Sequence, residues 1–209
     1  VDTMSEAVSE QVYLVSDYYN LKRQVLGLDE LYDYDRYAPV LEAERVYTFE
    51  EARDTVLTAY GKFSPRMRER ANEFFEKNWI DAETKHGKRG GAFCSYGTPD
   101  LHPVVFLNYL GETKSVLTLA HELGHGVHGS LMRKQTLFNF DTPLTIAETA
   151  SVFGEMLVFD SLRGSVRGKE LLALLMGMIE EVFATVFRQH AMYKFEQDFH
   201  AARRKEGEL

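Results

Sequence analysis

The 209-residue sequence contains a single cysteine, Cys94. One cysteine excludes an internal disulfide, and a chain without disulfides fits a reducing compartment such as the cytoplasm best. No apolar run approaches the length of about 18 residues that a transmembrane helix needs, so we expect no transmembrane helix. Basic residues form no long run and the formal net charge is −8. We therefore expect neither a nucleic-acid-binding face nor a polybasic membrane-binding surface.

The composition is that of an ordinary globular protein, with 44% hydrophobic and 27% charged residues. This length and composition fit one large domain or two small ones. The sequence opens already in helical periodicity and closes with AARRKEGEL, without a packed end. We therefore expect the chain to be a fragment of a longer protein. The sequence leaves the oligomeric state open.

Apolar periodicity predicts a mainly α-helical chain. We expect helices over residues 3–26, 48–60, 65–80, 113–130, 143–163 and 168–205. Residues 28–40 form a tyrosine-rich connector and residues 85–92 a polar, glycine-rich loop. The stretches GAFCSY and VVFLNYL, within residues 91–110, change to a strand-like period and are separated by turn residues. These strands are expected to form a small antiparallel sheet beside the helix over residues 113–130.

That helix carries an unusual set of titratable side chains in the stretch LTLAHELGHGVHGSL. At 100° per residue, His121 and His125 lie one turn apart, on the side opposite an apolar stripe. Two neutral imidazoles at this spacing can bind one tetrahedral metal ion at ~2.0–2.1 Å. Glu122 is offset sideways and can reach a metal-bound water as a general base. This is the H-E-x-x-H arrangement of zinc peptidases.

A third ligand is expected, because catalytic zinc commonly takes three protein ligands. Glu148 is the candidate, since its sequence context is mostly apolar and a buried carboxylate is costly unless it is paired or bound to metal. The alternative for Glu148 is a capping or salt-bridged carboxylate near a helix start. Glu155 is an alternative ligand, but it and Ser151 fit better as groups that orient the ligands. His128 either hydrogen-bonds the ligands or is a core histidine.

The same stretches carry a family resemblance. HELGHGVH and TIAETASVFGEMLVFD resemble the oligoendopeptidase F branch of the thimet-oligopeptidase-like zinc peptidases, as do LYDYDRYAPV, KRGGAFCSYGTPDLHPVVFLNYLG and FEQDFHAARRKEGEL. The resemblance implies an intracellular, mostly helical, zincin-like catalytic domain with a channel that admits short peptides. It also implies that His121, His125 and Glu148 bind one zinc ion and that Glu122 is the catalytic base.

The resemblance has two further implications. An extended substrate could pair with the edge of the strand GGAFCSY by backbone hydrogen bonds, and the resemblance implies this contact for Gly91 and Ala92. The alternative for both residues is an ordinary strand with a turn glycine. Family chains are longer and continue into a loop with histidine and tyrosine side chains that stabilises the oxyanion. The present sequence ends before such a loop, so a zinc-binding fragment without full activity is the alternative function.

We therefore expect a helical region with a tyrosine-rich connector over residues 1–80 and a zinc-binding catalytic core over residues 81–209. The expected function is zinc-dependent endopeptidase activity on short peptides. A third, less favoured possibility is a di-iron helical bundle, because Glu122-x-x-His125 is also the ligand unit of such proteins. That possibility requires a second unit, and the sequence offers Glu83-x-x-His86, in a polar segment.

Overall fold

The computed structural model describes residues 1–40 and 45–207. Its α-helices are Asp2–Glu10 (α1), Tyr13–Leu26 (α2), Phe49–Phe63 (α3), Pro65–Glu76 (α4), Thr113–Met132 (α5), Leu144–Ala147 (α6), Thr149–Ser165 (α7), Gly168–Phe183 (α8) and Gln189–Glu206 (α9). Short 3₁₀ helices cover Asp33–Tyr37 and Leu137–Asn139, and a π-helical turn covers Ala184–Arg188. The mainly α-helical class is confirmed.

The chain forms two compact units. The first comprises residues 1–42 and 167–209, and the second comprises residues 43–166. The candidate metal ligands all belong to the second unit. The expected division into a helical region over residues 1–80 and a catalytic core over residues 81–209 concerns function rather than compactness, and it stays a prediction.

The first unit contains α1, α2, α8, the π-helical turn and α9. A partly buried ion pair joins two of its helices: the buried Lys22 ammonium on α2 lies 2.6 Å from the Glu180 carboxylate on α8 and donates also to the Arg36 carbonyl oxygen at 2.6 Å. The expected single helix over residues 3–26 is wrong, because the chain turns at Gln11–Val12 between α1 and α2. The expected helix over residues 168–205 is confirmed in its extent, and within it the π-helical turn Ala184–Arg188 separates α8 from α9.

The second unit begins with two helices whose starts follow local capping rules. Thr48 and Glu51 form the expected capping box: the Glu51 N–H donates to the Thr48 hydroxyl at 3.1 Å, and the Thr48 N–H donates to the Glu51 carboxylate at 2.8 Å. The expected end of this helix at Gly61 is wrong, because α3 continues to Phe63. Ser64 then caps α4, which ends at Glu76 rather than Ile80.

The sheet has three short strands, Ile80–Asp81 (β1), Phe93–Ser95 (β2) and Val104–Phe106 (β3), in the order β1-β3-β2. β2 pairs antiparallel with β3, as expected, but β1 pairs parallel with β3, so the sheet is mixed. The expectation of a purely antiparallel sheet is therefore wrong. A two-residue strand is too short to show the alternation of apolar and polar residues that predicts a strand. Ile80 of β1 therefore fell within the helix predicted over residues 65–80.

Two close approaches set the packing of α5 against α7. A Cβ on Gly124 would lie 2.5 Å from the Ala150 carbonyl oxygen and 2.7 Å from the Ser151 Cα, both backbone atoms. On the other side of the interface, the Tyr60 hydroxyl from α3 donates to the Ala120 carbonyl oxygen at 2.6 Å and occupies the space that a Cβ on Gly154 would need. Glycine at these positions lets the helix backbones approach closely.

Candidate metal centre

The helix α5 separates an apolar face from a polar one, as the periodicity predicts. Val116, Leu119, Ala120 and Leu123 are fully buried. His121 and His125 lie half-buried on the other side, with ring centroids 5.1 Å apart. Because α5 is anchored along its apolar face, the two imidazoles are held one turn apart.

Glu148 approaches these rings from the junction between α6 and α7. The expected continuous helix over residues 143–163 is wrong, since Glu148 separates the two shorter helices. Its Oε2 lies 3.1 Å from His121 Nε2 and 3.2 Å from His125 Nε2. The sequence context suggested a buried carboxylate, but the Glu148 side chain is 62% exposed. The junction brings the carboxylate to the imidazoles while leaving one side open to solvent.

The chemistry and spacing of these three donors fit a metal cation. One ligand atom from each of His121, His125 and Glu148 lies within 4.8 Å of the others. Tetrahedral zinc ligands at ~2.1 Å would stand about 3.4 Å apart, close to the 3.1 and 3.2 Å separations here. Two imidazole nitrogens and a carboxylate oxygen are a donor set that zinc accepts. Among the described residues, this is the one group of three or more potential ligands.

Glu122 is the buried acid of the site. Its side chain is 6% exposed, and its Oε2 has no hydrogen-bond partner among the described residues. Burial, with a smaller contribution from the Glu148 charge, raises the pKa of the Glu122 carboxyl to about 7, against the opposing influence of His121. A carboxyl with a pKa near neutrality is suited to exchanging protons with a reacting group.

Glu155 and Ser151 contact the candidate ligands directly. The Glu155 carboxylate lies 3.0 Å from His121 Nδ1, on the ring side away from Glu148. The Ser151 hydroxyl donates to Glu148 Oε2 at 2.6 Å and to the Glu148 carbonyl oxygen at 3.0 Å. These contacts fix the orientation of one imidazole and one carboxylate.

The charges in the site also shift the ligands' own pKa values. Burial would lower the pKa of His121, but the Glu155 hydrogen bond and the neighbouring carboxylates together raise it. Burial lowers the pKa of His125. Burial would raise the pKa of Glu148, but the Ser151 hydroxyl and the two imidazoles together lower it. The carboxylate is therefore held in its ionised, metal-binding form.

His128 lies one turn beyond His125 on α5. Its buried Nδ1, like that of His125, has no hydrogen-bond partner among the described residues. The structure thus brings His128 near the ligands without giving it a hydrogen bond to them. Its expected part in orienting the ligands stays a prediction.

Gly91 and Ala92 immediately precede β2, and Gly91 has a left-handed φ of +86°. Asn108 donates to the carbonyl oxygens of Arg89 at 2.9 Å and Gly91 at 3.3 Å, which fixes this turn. β2 is an edge strand, and on its other side no strand among residues 1–40 and 45–207 pairs with it. Cys94 on β2 lies near Glu122: burial, and to a lesser degree that carboxylate, raise the pKa of its thiol to about 12. β2 therefore lies near Glu122 of the candidate metal centre.

Tyr60 is a residue near the site that the sequence did not single out. Its hydroxyl donates to the carbonyl of Ala120, the residue before His121. The side chain is fully buried and comes from a helix 60 residues earlier in the chain. The sequence feature that could have indicated this contact is Gly154, because a glycine leaves room for a large side chain such as that of Tyr60.

The second ligand unit required by a di-iron site is not assembled. Glu83 and His86 are both exposed and lie in the loop after β1. In the part of the chain that the structure describes, neither belongs to a cluster of potential ligands.

The helices of this part also include none with the length and apolar character needed to cross a membrane.

Comparison with known proteins gives consistent matches over the chain. The model of peptidase family M3 matches residues 1–209. An oligoendopeptidase F homolog from Lactococcus lactis is 32% identical over 96% of this chain and 34% of its own length. Oligopeptidase PepF from Bacillus subtilis is 32% identical over 99% of this chain and 31% of its own length.

A solved structure agrees with these matches. The crystal structure of a candidate peptidase from Chlamydophila abortus superposes with a TM-score of 0.80 at 33% identity. The superposition covers 96% of this chain and 34% of that protein. The chain thus spans about a third of the length of the relatives it matches.

Proposed function

We propose that this chain, which belongs to peptidase family M3, carries the metal-binding part of a zinc-dependent endopeptidase that hydrolyses short peptides. The observation that carries the proposal is the meeting of three donor atoms, from His121, His125 and Glu148, beside the buried carboxyl of Glu122. The relatives' names, oligoendopeptidase F homolog and oligopeptidase, support a peptide substrate of limited length.

His121 Nε2, His125 Nε2 and Glu148 Oε2 would hold one zinc ion. When bound, such a cation supplies Lewis-acid activation of water and of the scissile carbonyl group. The remaining ring nitrogen of His121 faces Glu155, which fixes the imidazole orientation and increases its basicity. Ser151 restrains the Glu148 carboxylate in the same way. We assign His128 a supporting part beside His125.

Glu122 is the general base in this proposal. Its carboxylate accepts a proton from the attacking water and then donates that proton to the nitrogen of the leaving amine. The burial that raises the pKa of this carboxyl to about 7 balances the two roles, because the group must both take up and release a proton near neutral pH.

The substrate backbone is proposed to pair with the free edge of β2, beginning at Gly91 and Ala92. Main-chain hydrogen bonds give affinity with little dependence on sequence, which suits an enzyme acting on varied short peptides. We propose no nucleic-acid or membrane partner, and we propose the cytoplasm as its location.

A second candidate function is zinc binding without turnover by this chain alone. The observation that favours it is length, since the chain covers 34% of the Lactococcus lactis relative. The groups that stabilise the oxyanion in the oligoendopeptidase F family, which this sequence resembles, would lie in the part of those longer proteins that this chain does not cover. Metal binding and hydrolysis must therefore be measured separately.

The first test is the metal content of the purified chain and of Glu148→Gln, with Glu83→Gln as the matched control. We expect about one zinc per chain in the wild type and in the control, because three ligands suffice for a stable site. Glu148→Gln should lose most of its zinc. Zinc content unaffected by Glu148→Gln would refute the ligand set, and two irons per chain would favour the di-iron site.

The second test is cleavage of a quenched fluorescent peptide of about ten residues. Zinc-dependent cleavage by the wild type that is abolished in Glu122→Gln supports the endopeptidase. Zinc binding without cleavage supports the second candidate function for this chain.

A further inference from the structure

The first compact unit contains a cavity of about 380 Å³, large enough for a small organic ligand. Its walls combine tyrosine and phenylalanine rings, among them Tyr19, Tyr37 and Phe187, with the side chains of Arg36 and Arg188. None of these residues belongs to the candidate metal centre. Two guanidinium groups around one small cavity are a notable concentration of positive charge in a chain of net charge −8.

Neither guanidinium has an acidic partner. Among the described residues, no carboxylate oxygen lies within the 4.0 Å ion-pair distance of Arg36 or Arg188. The buried Nε of Arg36 has no hydrogen-bond partner in the same part of the chain. Its guanidinium lies 4.7 Å from the Tyr37 ring centroid, and Arg188 donates a long hydrogen bond of 3.4 Å to the Tyr37 hydroxyl. An unpaired buried N–H donor is costly, so Arg36 is available to a partner that the chain itself does not supply, and the exposed Arg188 lies on the same cavity wall.

The carboxylates that also line the cavity compensate this charge only in part. Glu180 Oε1 already accepts hydrogen bonds from Tyr18 and Lys22, each at 2.6 Å, and Lys22 is 1% exposed. Asp33 lies at the wall, beyond ion-pair distance from both guanidiniums. With Lys22 counted, three positive side chains (Lys22, Arg36 and Arg188) stand against two carboxylates (Glu180 and Asp33), which leaves the cavity a surplus of one positive charge.

The backbone conformation also changes at this cavity, from α-helical to π-helical. Arg188 ends the π-helical turn Ala184–Arg188, whose Ala184 and Phe187 line the walls as well. Such turns inside α-helices occur frequently at functional sites, because the extra residue redirects side chains. Here the turn carries Arg188, one of the two guanidiniums without a carboxylate partner.

We propose that this cavity binds an organic carboxylate whose apolar group packs against the tyrosine and phenylalanine rings. The planar guanidinium groups match the two oxygens of a carboxylate and can donate paired hydrogen bonds to it. The rings provide apolar surface for the remainder of the ligand. The ligand class is a monocarboxylate with a ring or branched side chain, of which the C-terminal residue of a peptide is one source and a free carboxylic acid another.

The test is calorimetric titration of the full 209-residue chain with N-acetyl-phenylalanine. The protein is kept metal-free with EDTA so that the carboxylate cannot ligate a metal ion. We expect saturable 1:1 binding with a Kd on the order of 1 mM, as befits a ligand of this size. N-acetyl-phenylalaninamide, which lacks the charge, should not bind. Inorganic phosphate, which lacks the ring, should bind at least about tenfold more weakly.

Variants localise the binding. Arg36→Met and Arg188→Met should each weaken binding about tenfold, the usual scale for losing a hydrogen bond to a charged group, and Arg36→Lys should weaken it less than Arg36→Met does. Arg204→Met, an exposed position on α9, is the matched control and should bind as the wild type does. Arg36→Met should also keep the wild-type melting temperature, since it removes an unpaired donor and leaves an apolar side chain.

Several results would overturn the proposal. These are the absence of binding, equal binding of the amide, phosphate binding as tight as that of N-acetyl-phenylalanine, or affinity unchanged in both arginine variants. The sources are separated by comparing N-acetyl-phenylalanine with a hexapeptide ending in phenylalanine. Tighter binding of the hexapeptide identifies a peptide terminus, and equal or weaker binding identifies a free carboxylic acid. The titration is independent of the metal centre, so its failure would leave the proposed endopeptidase unaffected.

Discussion

At the scale of single residues, the proposed function separates three groups that would hold a cation from one group that would move a proton. His121, His125 and Glu148 face one another, whereas Glu122 lies buried beside them with an unpaired oxygen. Substitutions in the two classes should therefore affect different measurements.

Glu122→Gln should keep zinc binding and lose turnover. The amide has nearly the same shape but cannot accept the proton, so we expect the rate of peptide cleavage to fall by about 10²–10⁴-fold. Zinc affinity, measured by competition with a fluorescent chelator, should stay within about threefold of the wild type, since the residue is no ligand. Glu112→Gln, exposed at the start of α5, is the control. Undiminished cleavage by Glu122→Gln would remove this residue from the mechanism.

Glu155→Gln should weaken zinc binding. The carboxylate at 3.0 Å from His121 Nδ1 orients the ring and increases its electron density, and removal of such a partner typically costs about 10–100-fold in metal affinity. The competition assay measures the change, again with Glu112→Gln beside it. Affinity equal to that of the wild type would show that Glu155 does not support the ligand.

At the scale of secondary-structure elements, the distance between α5 and α7 decides whether the ligands meet. His121 and His125 belong to α5, and Glu148 immediately precedes α7. Gly124 lies against the backbone of Ala150 and Ser151, and Tyr60 lies between Ala120 and Gly154. The metal centre therefore depends on a helix contact that tolerates no side chain at its closest point.

Gly124→Ala should destabilise the chain by about 1–3 kcal/mol, the usual cost of overpacking a tight interface. The new methyl group would meet backbone atoms at 2.5 and 2.7 Å, and backbone atoms cannot move away as a flexible side chain can. Zinc affinity should fall as well, because separating the helices moves Glu148 away from the imidazoles. Urea unfolding and the chelator competition measure the two effects.

Gly164→Ala on α7 is the matched control for this substitution. A Cβ there meets no heavy atom of the described residues within 4 Å, so the better helix propensity of alanine should leave stability unchanged or raise it by up to about 1 kcal/mol. Equal effects of the two substitutions would contradict the close approach at Gly124.

At the scale of the whole molecule, the chain consists of two compact units, and the candidate metal ligands belong to the second. The first unit has a different polar centre, in which the buried Lys22 forms an ion pair with the half-buried Glu180. A ligand bound at the metal centre should therefore stabilise the second unit.

Zinc should raise the melting temperature, and EDTA should reverse the rise. A free zinc concentration of about 100 times the Kd stabilises the state that binds it by about 2.7 kcal/mol. In Glu148→Gln the same zinc concentration should give a much smaller shift, because a ligand is missing. Differential scanning calorimetry measures both proteins. A zinc-induced shift of the same size in both would place the bound metal elsewhere.

The sequence by itself determined the features that depend on local periodicity. The helical repeat places His121 and His125 one turn apart whatever the rest of the fold does, and Thr48 with Glu51 specifies a helix start within four residues. The mainly α-helical class follows from the same periodicity. These predictions hold because the responsible interactions join residues close together in the chain.

Tertiary structure decided the rest. The exposure of Glu148 at a helix junction, the parallel pairing of β1 and the insertion of Tyr60 between α5 and α7 each depend on residues far apart in sequence. The cavity of the first unit likewise joins Arg36 to Arg188. Periodicity reports which face of an element is apolar, but it does not report which distant element covers that face. The packing of the helices determines which distant elements meet, and it places the Glu148 carboxylate beside His121 and His125.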